Sequence, residues 1–183
     1  MPTATHHAFF DTPLGRCGVA WGAAGLCAVQ LPEVDAAHAL QRIHSRAPGS
    51  VEATPPPQVQ RAMDRIAALL EGASDDLQDI QLDMRGISPF YQQVYALARQ
   101  IPPGQTTTYG AMAEALQAPG SARAIGQALG FNPFAPVVPC HRVLAAQSGA
   151  GGFSAAGGLS TKLRMLQIER AVFGATPGLF DAG

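Results

Sequence analysis

A thiol and an imidazole stand side by side in the run Val137-Val138-Pro139-Cys140-His141-Arg142-Val143. Proline fixes its own φ and pushes the preceding residue toward extended backbone, so the chain reaches Cys140 stiff. Neighbouring side chains diverge on a helix or strand. For His141 to assist Cys140, the chain must turn here or a water must bridge the two. A free thiol is only a few per cent thiolate at neutral pH, and a nearby base raises that fraction. The pair suits a cysteine nucleophile served by a histidine base. The competing reading is a small buried cysteine that fills core.

The elements that must position this pair fall into two halves. Residues 8–31 alternate short apolar runs with turn signals at Thr12-Pro13-Leu14-Gly15 and Gly22-Ala23-Ala24-Gly25, which predicts three short antiparallel strands. Glu33 to Arg46 has helical spacing, with Ala37, Leu40 and Ile43 on one face. Ala47 to Pro57, rich in proline, reads as an exposed irregular loop. Gln58 to Glu71 is a second amphipathic helix, with Ala62, Ile66, Ala67, Leu69 and Leu70 inward. Leu77 to Met84 alternates loosely enough for one more strand, and Arg85-Gly86-Ile87-Ser88-Pro89 marks a domain boundary. His6 and His7 are read as part of a solvated terminal tail, not as metal ligands.

From Ser88 the pattern is helical. Ser88 caps, Pro89 takes the first position, and Phe90, Val94, Leu97 and Ala98 recur at helical spacing to Gln100. Thr107 or Thr108 caps a short helix through Leu116. After Ala118-Pro119-Gly120, Ser121 caps a helix to Leu129, with Ile125 and Leu129 inward and Gly130 as a left-handed stop. This is a helix-turn-helix with Ser121–Leu129 as the recognition helix. That helix is dominated by small residues (Ala122, Ala124, Gly126, Ala128), and its one charge is Arg123. A helix that reads major-groove bases carries several Arg, Asn or Gln at its start. Its composition therefore fits a DNA-binding protein without sequence preference. Gly149 to Gly158 is a glycine-rich loop that suits a wall or lid of a pocket. Thr161 to Val172 is the last helix, with Leu163, Leu166, Ile168 and Val172 partly inward. The fold class is α+β: residues 1–87 form a small antiparallel sheet with helices. Residues 88–183 form a mainly helical domain with the helix-turn-helix and the reactive cysteine.

Composition bounds the function. The 183 residues carry a formal net charge of −1. Residues 1–83 hold five basic and ten acidic side chains, whereas 84–183 hold seven and three, so the half with Cys140 is the basic one. That asymmetry favours a polyanion meeting the C-terminal half, through a small number of salt-sensitive phosphate contacts. The three cysteines, Cys17, Cys27 and Cys140, are widely spaced, which argues against a disulfide framework and suits a reducing compartment. No apolar run is long enough to span a membrane and no signal peptide is recognised, so a cytoplasmic location is expected.

Several ordered blocks resemble the O6-alkylguanine-DNA alkyltransferases, also called methylated-DNA–protein-cysteine methyltransferases. They are Ile101-Pro102-Pro103-Gly104-Gln105-Thr106, Thr108-Tyr109-Gly110, Arg123-Ala124-Ile125-Gly126, Asn132-Pro133, Pro139-Cys140-His141-Arg142-Val143, and Gly157-Gly158-Leu159 with Lys162 and Glu169. Order and spacing fit from Phe90 to Arg170. The resemblance implies transfer of a methyl or other alkyl group from O6-alkylguanine in DNA, with O4-alkylthymine as a further candidate, to Cys140. His141 acts as base through a water and Glu169 holds His141. A stacked base hides its O6 substituent, so the nucleotide must be flipped out, at a few kcal/mol. Arg123 then fills the vacated stack, Tyr109 helps rotate the nucleotide and donates to guanine N3, and Asn132 braces the turn before Cys140. The carbonyls of Cys140 and Val143 accept from the guanine amine, and the Ser154 amide faces O6.

The same resemblance implies a DNA-binding surface of Arg123, Thr108, Tyr109, Ser121, Ala122 and Gln127, and a substrate pocket of Val143, Phe153, Ser154 and Lys162. It implies minor-groove docking on double-stranded DNA, no cofactor, no metal, no obligate protein partner and a monomer. The thioether formed has no good leaving group, so one turnover per molecule is expected. Two features depart from the family. Phe153 replaces a tyrosine common in relatives, and Ala155-Ala156 lengthens the glycine-rich loop by about two residues. Gly22 stands where zinc-binding relatives have a thiolate. The competing functions are a non-reactive alkylated-base recognition protein of the same fold, a cysteine hydrolase, and a plain helix-turn-helix regulator.

Overall fold

The structure, a computed structural model, describes residues 4–146 and 157–171. The expectations for Phe153, Ser154, Ala155, Ala156 and Val172 lie outside the described residues. Strands β1 (His6–Thr12), β2 (Gly15–Gly22) and β3 (Gly25–Gln30) form the expected antiparallel meander. At Gly25, φ is +124°, and a Cβ there would lie 2.5 Å from the Gln81 carbonyl oxygen, so the turn into β3 requires glycine.

Side chains alternate across the sheet. On one face Ala8, Cys17, Val19 and Trp21 pack against α2 (Pro57–Leu70) through Val59, Ala62, Met63, Ile66, Leu69 and Leu70. On the other, Ala20 and Ala28 meet Ala47, just past α1 (Ala36–Arg46). Val137 and Met165, from the half that holds Cys140, join the first of these cores.

Four readings of the amino-terminal half are corrected. First, the 47–57 segment is not wholly irregular: β4 (Val51–Glu52) pairs in parallel with β1, giving the sheet order β3-β2-β1-β4. Second, α1 turns Ala39 and Ile43 inward, whereas Ala37 and Leu40 are exposed. Its first turn is set by Asp35, whose carboxylate accepts from the His38 amide, and that fixes a different face toward the sheet. Third, Leu77 to Met84 is not a strand. Leu77 has φ +55°, the Asp75 and Asp76 carboxylates accept from the amides of Leu77 and Gln78, and only Leu82 makes a bridge, to Leu26. These local bonds compete with a ladder. Fourth, His6 and His7 are not a solvated tail. Both lie in β1, and His7 is buried with Nδ1 3.0 Å from the Ser50 hydroxyl.

In the other half, α3 (Pro89–Ala98) starts as expected, with the Ser88 hydroxyl accepting from the Tyr91 amide. β5 (Thr107–Thr108) leads into α4 (Tyr109–Ala115), and the Thr108 hydroxyl caps it through the Ala111 amide. Then comes α5 (Ala122–Gly130). The Ser121 hydroxyl donates back to the Ala118 carbonyl and does not cap α5. Gly130 is the last helical residue, not a left-handed stop: Phe131 follows at φ −90°. The Tyr95 hydroxyl donates to the Ala128 carbonyl at 2.8 Å and ties α3 to α5. Residues 143–144 form β6 (Val143–Leu144), which pairs in parallel with β5, a small sheet not foreseen from the sequence. Helix α6 (Leu159–Ile168) turns Lys162, Met165 and Leu166 inward and leaves Leu163 and Ile168 half-buried. Among the described residues no helix is long and apolar enough to cross a membrane.

Candidate active site

Between Pro139 and Val143 the chain makes a single 3-10 turn, Cys140–Arg142, so the backbone does turn at the thiol. The turn is braced from behind. Asn132, buried, donates through Nδ2 to the Val138 carbonyl at 2.8 Å and accepts through Oδ1 from the Phe134 amide at 2.9 Å. The Cys140 amide in turn donates to the Val138 carbonyl. Both ends of the Asn132 amide are thus used within this segment.

His141 is fully buried, and its Nε2 lies 2.8 Å from Glu169 Oε1. Nε2 donates to the carboxylate, which leaves Nδ1 with the lone pair. That buried Nδ1 has no hydrogen-bond partner among the described residues. Glu169 sits just past the end of α6, in a place fixed by tight packing: a Cβ on Gly104 would lie 3.1 Å from the Glu169 carbonyl oxygen.

One residue that sequence reasoning left without a role completes this cluster. Arg142 is buried, donates through Nε and Nη2 to both oxygens of Glu169 at 3.0 and 2.7 Å, and through Nη1 to the Ile101 carbonyl at 2.7 Å. The signal was available: an arginine inside the otherwise apolar run 137–144 must be paired if that run is buried.

The charges follow from these contacts. Burial alone would raise the Glu169 carboxyl, but His141 and the two Arg142 bonds outweigh it and hold it at about 2. Burial pushes His141 below its ordinary value, and Glu169 only partly opposes this. The imidazole is thus a neutral base beside a fixed anion. Burial likewise raises the Cys140 thiol, against four opposing influences: the Asn132 amide, the charge of Lys162, a backbone bond and the charge of Arg46. Cys140 therefore rests as a thiol, 6% exposed, and needs a base to become an anion. Lys162 is fully buried on α6 and donates to the Val143 carbonyl at 2.7 Å.

The expected DNA-facing residues also gather. Arg123 and Gln127 lie exposed one turn apart on α5, with Ser121 and Ala122 half-buried at its start. The opposite face of α5, Ile125, Ala128 and Leu129, is buried. Tyr109 is half-buried at the start of α4 against α5: a Cβ on Gly126 would lie 3.8 Å from its ring. Thr108 is spent on the α4 cap.

Comparison with known proteins points to one family. Residues 89–171 match the family described as 6-O-methylguanine DNA methyltransferase, DNA binding domain. The methylated-DNA–protein-cysteine methyltransferase of Mycobacterium bovis is 33% identical over 177 residues, covering 96% of this chain and 99% of that protein. Its namesake from Mycolicibacterium paratuberculosis is 43% identical over 120 residues, 66% of this chain and 70% of that protein. The solved structure of Mycobacterium tuberculosis OGT in complex with DNA is similar at TM-score 0.71 and 32% identity, covering 91% of this chain and 93% of that one. With the α+β fold, the cysteine turn and full-length similarity all in agreement, the chain belongs to the methylated-DNA–protein-cysteine methyltransferases.

Proposed function

We propose that Cys140 is the alkyl acceptor and that His141, oriented by Glu169, takes its proton. The observation that carries this reading is the bond from His141 Nε2 to Glu169, which leaves Nδ1 as a buried acceptor. The thiol proton passes to Nδ1 through one bridging water. Sulfur then bonds to the alkyl carbon as the bond from that carbon to O6 breaks. The proton held by His141 balances the charge that develops on the departing guanine. The thioether has no leaving group, so each molecule reacts once.

The substrate is O6-alkylguanine in double-stranded DNA, presented by flipping the nucleotide out of the stack. The small residues of α5 let that helix lie close to the minor groove, with Arg123 entering the gap and Tyr109 donating to guanine N3. The Cys140 carbonyl already accepts from the Val143 amide and the Val143 carbonyl from Lys162, so each offers its second lone pair to the guanine amine. The protein works as a cytoplasmic monomer without cofactor or metal.

Mass measurement after incubation with an oligonucleotide duplex containing O6-methylguanine tests the reading. One methyl adduct per molecule, mapped to Cys140 and lost in Cys140→Ala, is the expected result. Tight binding without mass gain would instead identify a non-reactive recognition protein, and turnover of an ester beyond one equivalent would identify a hydrolase.

A further inference from the structure

The amino-terminal half reaches the reactive turn at one point. β3 is the edge strand of its sheet, so the backbone groups on its outer side need partners from elsewhere. Val29 turns both of its polar groups outward. Its amide donates to the Pro133 carbonyl at 2.8 Å, and its carbonyl accepts from Arg46 Nη1, at the end of α1, at 3.1 Å. Pro133 follows Asn132, whose amide holds the Val138 carbonyl to which the Cys140 amide also donates. An unbroken line of hydrogen bonds and short backbone steps therefore runs from Arg46 through Val29, Pro133 and Asn132 to the thiol.

We propose that Arg46 is a positioning residue for alkyl transfer: it fixes the Cys140 turn through Val29 and Pro133, and its charge, with that of Lys162, acts on the sulfur. The inference rests on Cys140 being the acceptor. The groups coupled to this thiol through their charge are Arg46 on α1, Tyr95 on α3, Tyr109 on α4 and Lys162 on α6, and the Asn132 amide also favours its anion. Arg42 and Glu33 act on Arg46 with opposite sign. Both cations favour the thiolate, and burial opposes it. Arg46 thus gives the amino-terminal half a part in the chemistry beyond support.

The test uses the full chain without DNA first. The pH dependence of Cys140 alkylation by iodoacetamide is followed by peptide mass mapping, with Cys17 and Cys27, both pushed up to about 11, as internal references. Arg46→Met should move the Cys140 midpoint upward by roughly half to one pH unit. It should also slow methyl transfer from the O6-methylguanine duplex by about tenfold. Arg46→Lys, which keeps the charge, should restore the midpoint. If Arg46→Met fails to fold, Arg46→Gln retains a donor for Val29 without the charge and carries the same midpoint test. A parental midpoint or a parental transfer rate in the charge-free variant overturns the proposal, as does a midpoint that Lys does not restore. Failure of the alkyl-acceptor reading is separate: the parent protein would show no methyl adduct, while its iodoacetamide midpoint would still be measured.

Discussion

Lys162 is bonded through its ammonium to the Val143 carbonyl at 2.7 Å, in a place with no access to solvent. Burial lowers this lysine to about 8, and the neighbouring Cys140 opposes the shift. A buried cation costs several kcal/mol of desolvation unless an anion offsets it, and the Cys140 thiolate supplies that anion once a base has taken the thiol proton. Lys162→Met should therefore raise the pH midpoint of Cys140 alkylation by roughly one unit and slow methyl transfer about tenfold. Iodoacetamide titration and single-turnover kinetics check both effects.

Glu169 sets the acid stability of the domain. Its folded-state value, about 2, lies below the ordinary 4.5, so the native state binds fewer protons than the unfolded chain between those values. The stability it contributes is full above 4.5 and is lost as pH falls through that window to about 2. Glu169→Gln should flatten this loss. At neutral pH it should cost about 3–5 kcal/mol, because Arg142 is left buried without its counter-charge. Urea titrations at neutral and acid pH measure both.

His141 predicts the acid limb of the rate. Its value is lowered by burial despite Glu169, so the neutral imidazole persists below the ordinary 6.5. The transfer rate should hold as pH falls through 6.5 and decline only beneath it. Rapid-quench kinetics across that range would contradict the assignment if the limb lay at or above the ordinary value.

Arg123 stands exposed on α5, away from the thiol's own hydrogen-bond network. Arg123→Ala should slow repair of a duplex by an order of magnitude or more, since flipping costs a few kcal/mol. Reaction with free O6-benzylguanine should change little. Equal losses on both substrates would remove the base-flipping role.

Asn132→Ala strips the buried Phe134 amide of its acceptor and leaves the Val138 carbonyl with the Cys140 amide alone. An unsatisfied buried amide costs about 1–3 kcal/mol, so a loss of about that size is expected. Transfer should slow as well, because the turn that carries Cys140 loses its brace. Denaturant unfolding and adduct kinetics on the same variant read the two effects.

Much of this was legible in the chain. A turn at Cys140 was one of two ways left open for His141 to serve the thiol, a bridging water being the other, and the three-stranded meander followed from the spacing of its turns. The role of Asn132 came only through family likeness, because an asparagine before proline reads equally well as a simple turn former. Leu77 to Met84 misled because its alternation was real, while Asp75 and Asp76 offered the backbone nearer partners. The face of α1 was misjudged because Ala39 and Ile43 pack under a sheet whose position no local pattern reveals. Arg46, Arg142 and Lys162 were the hardest to read. A cation's burial depends on acceptors far away in sequence, such as the carbonyls of Val29, Ile101 and Val143.

The two-rung pairing of Thr107–Thr108 with Val143–Leu144 has a mechanical consequence. Thr108 leads directly into Tyr109, and Val143 lies three positions beyond the sulfur-bearing residue. Clamped side by side, the start of α4 and the strand that follows the Cys140 turn share one backbone tie. If α4 and α5 seat on a duplex as proposed, the grip and the nucleophile are joined directly through two paired strands.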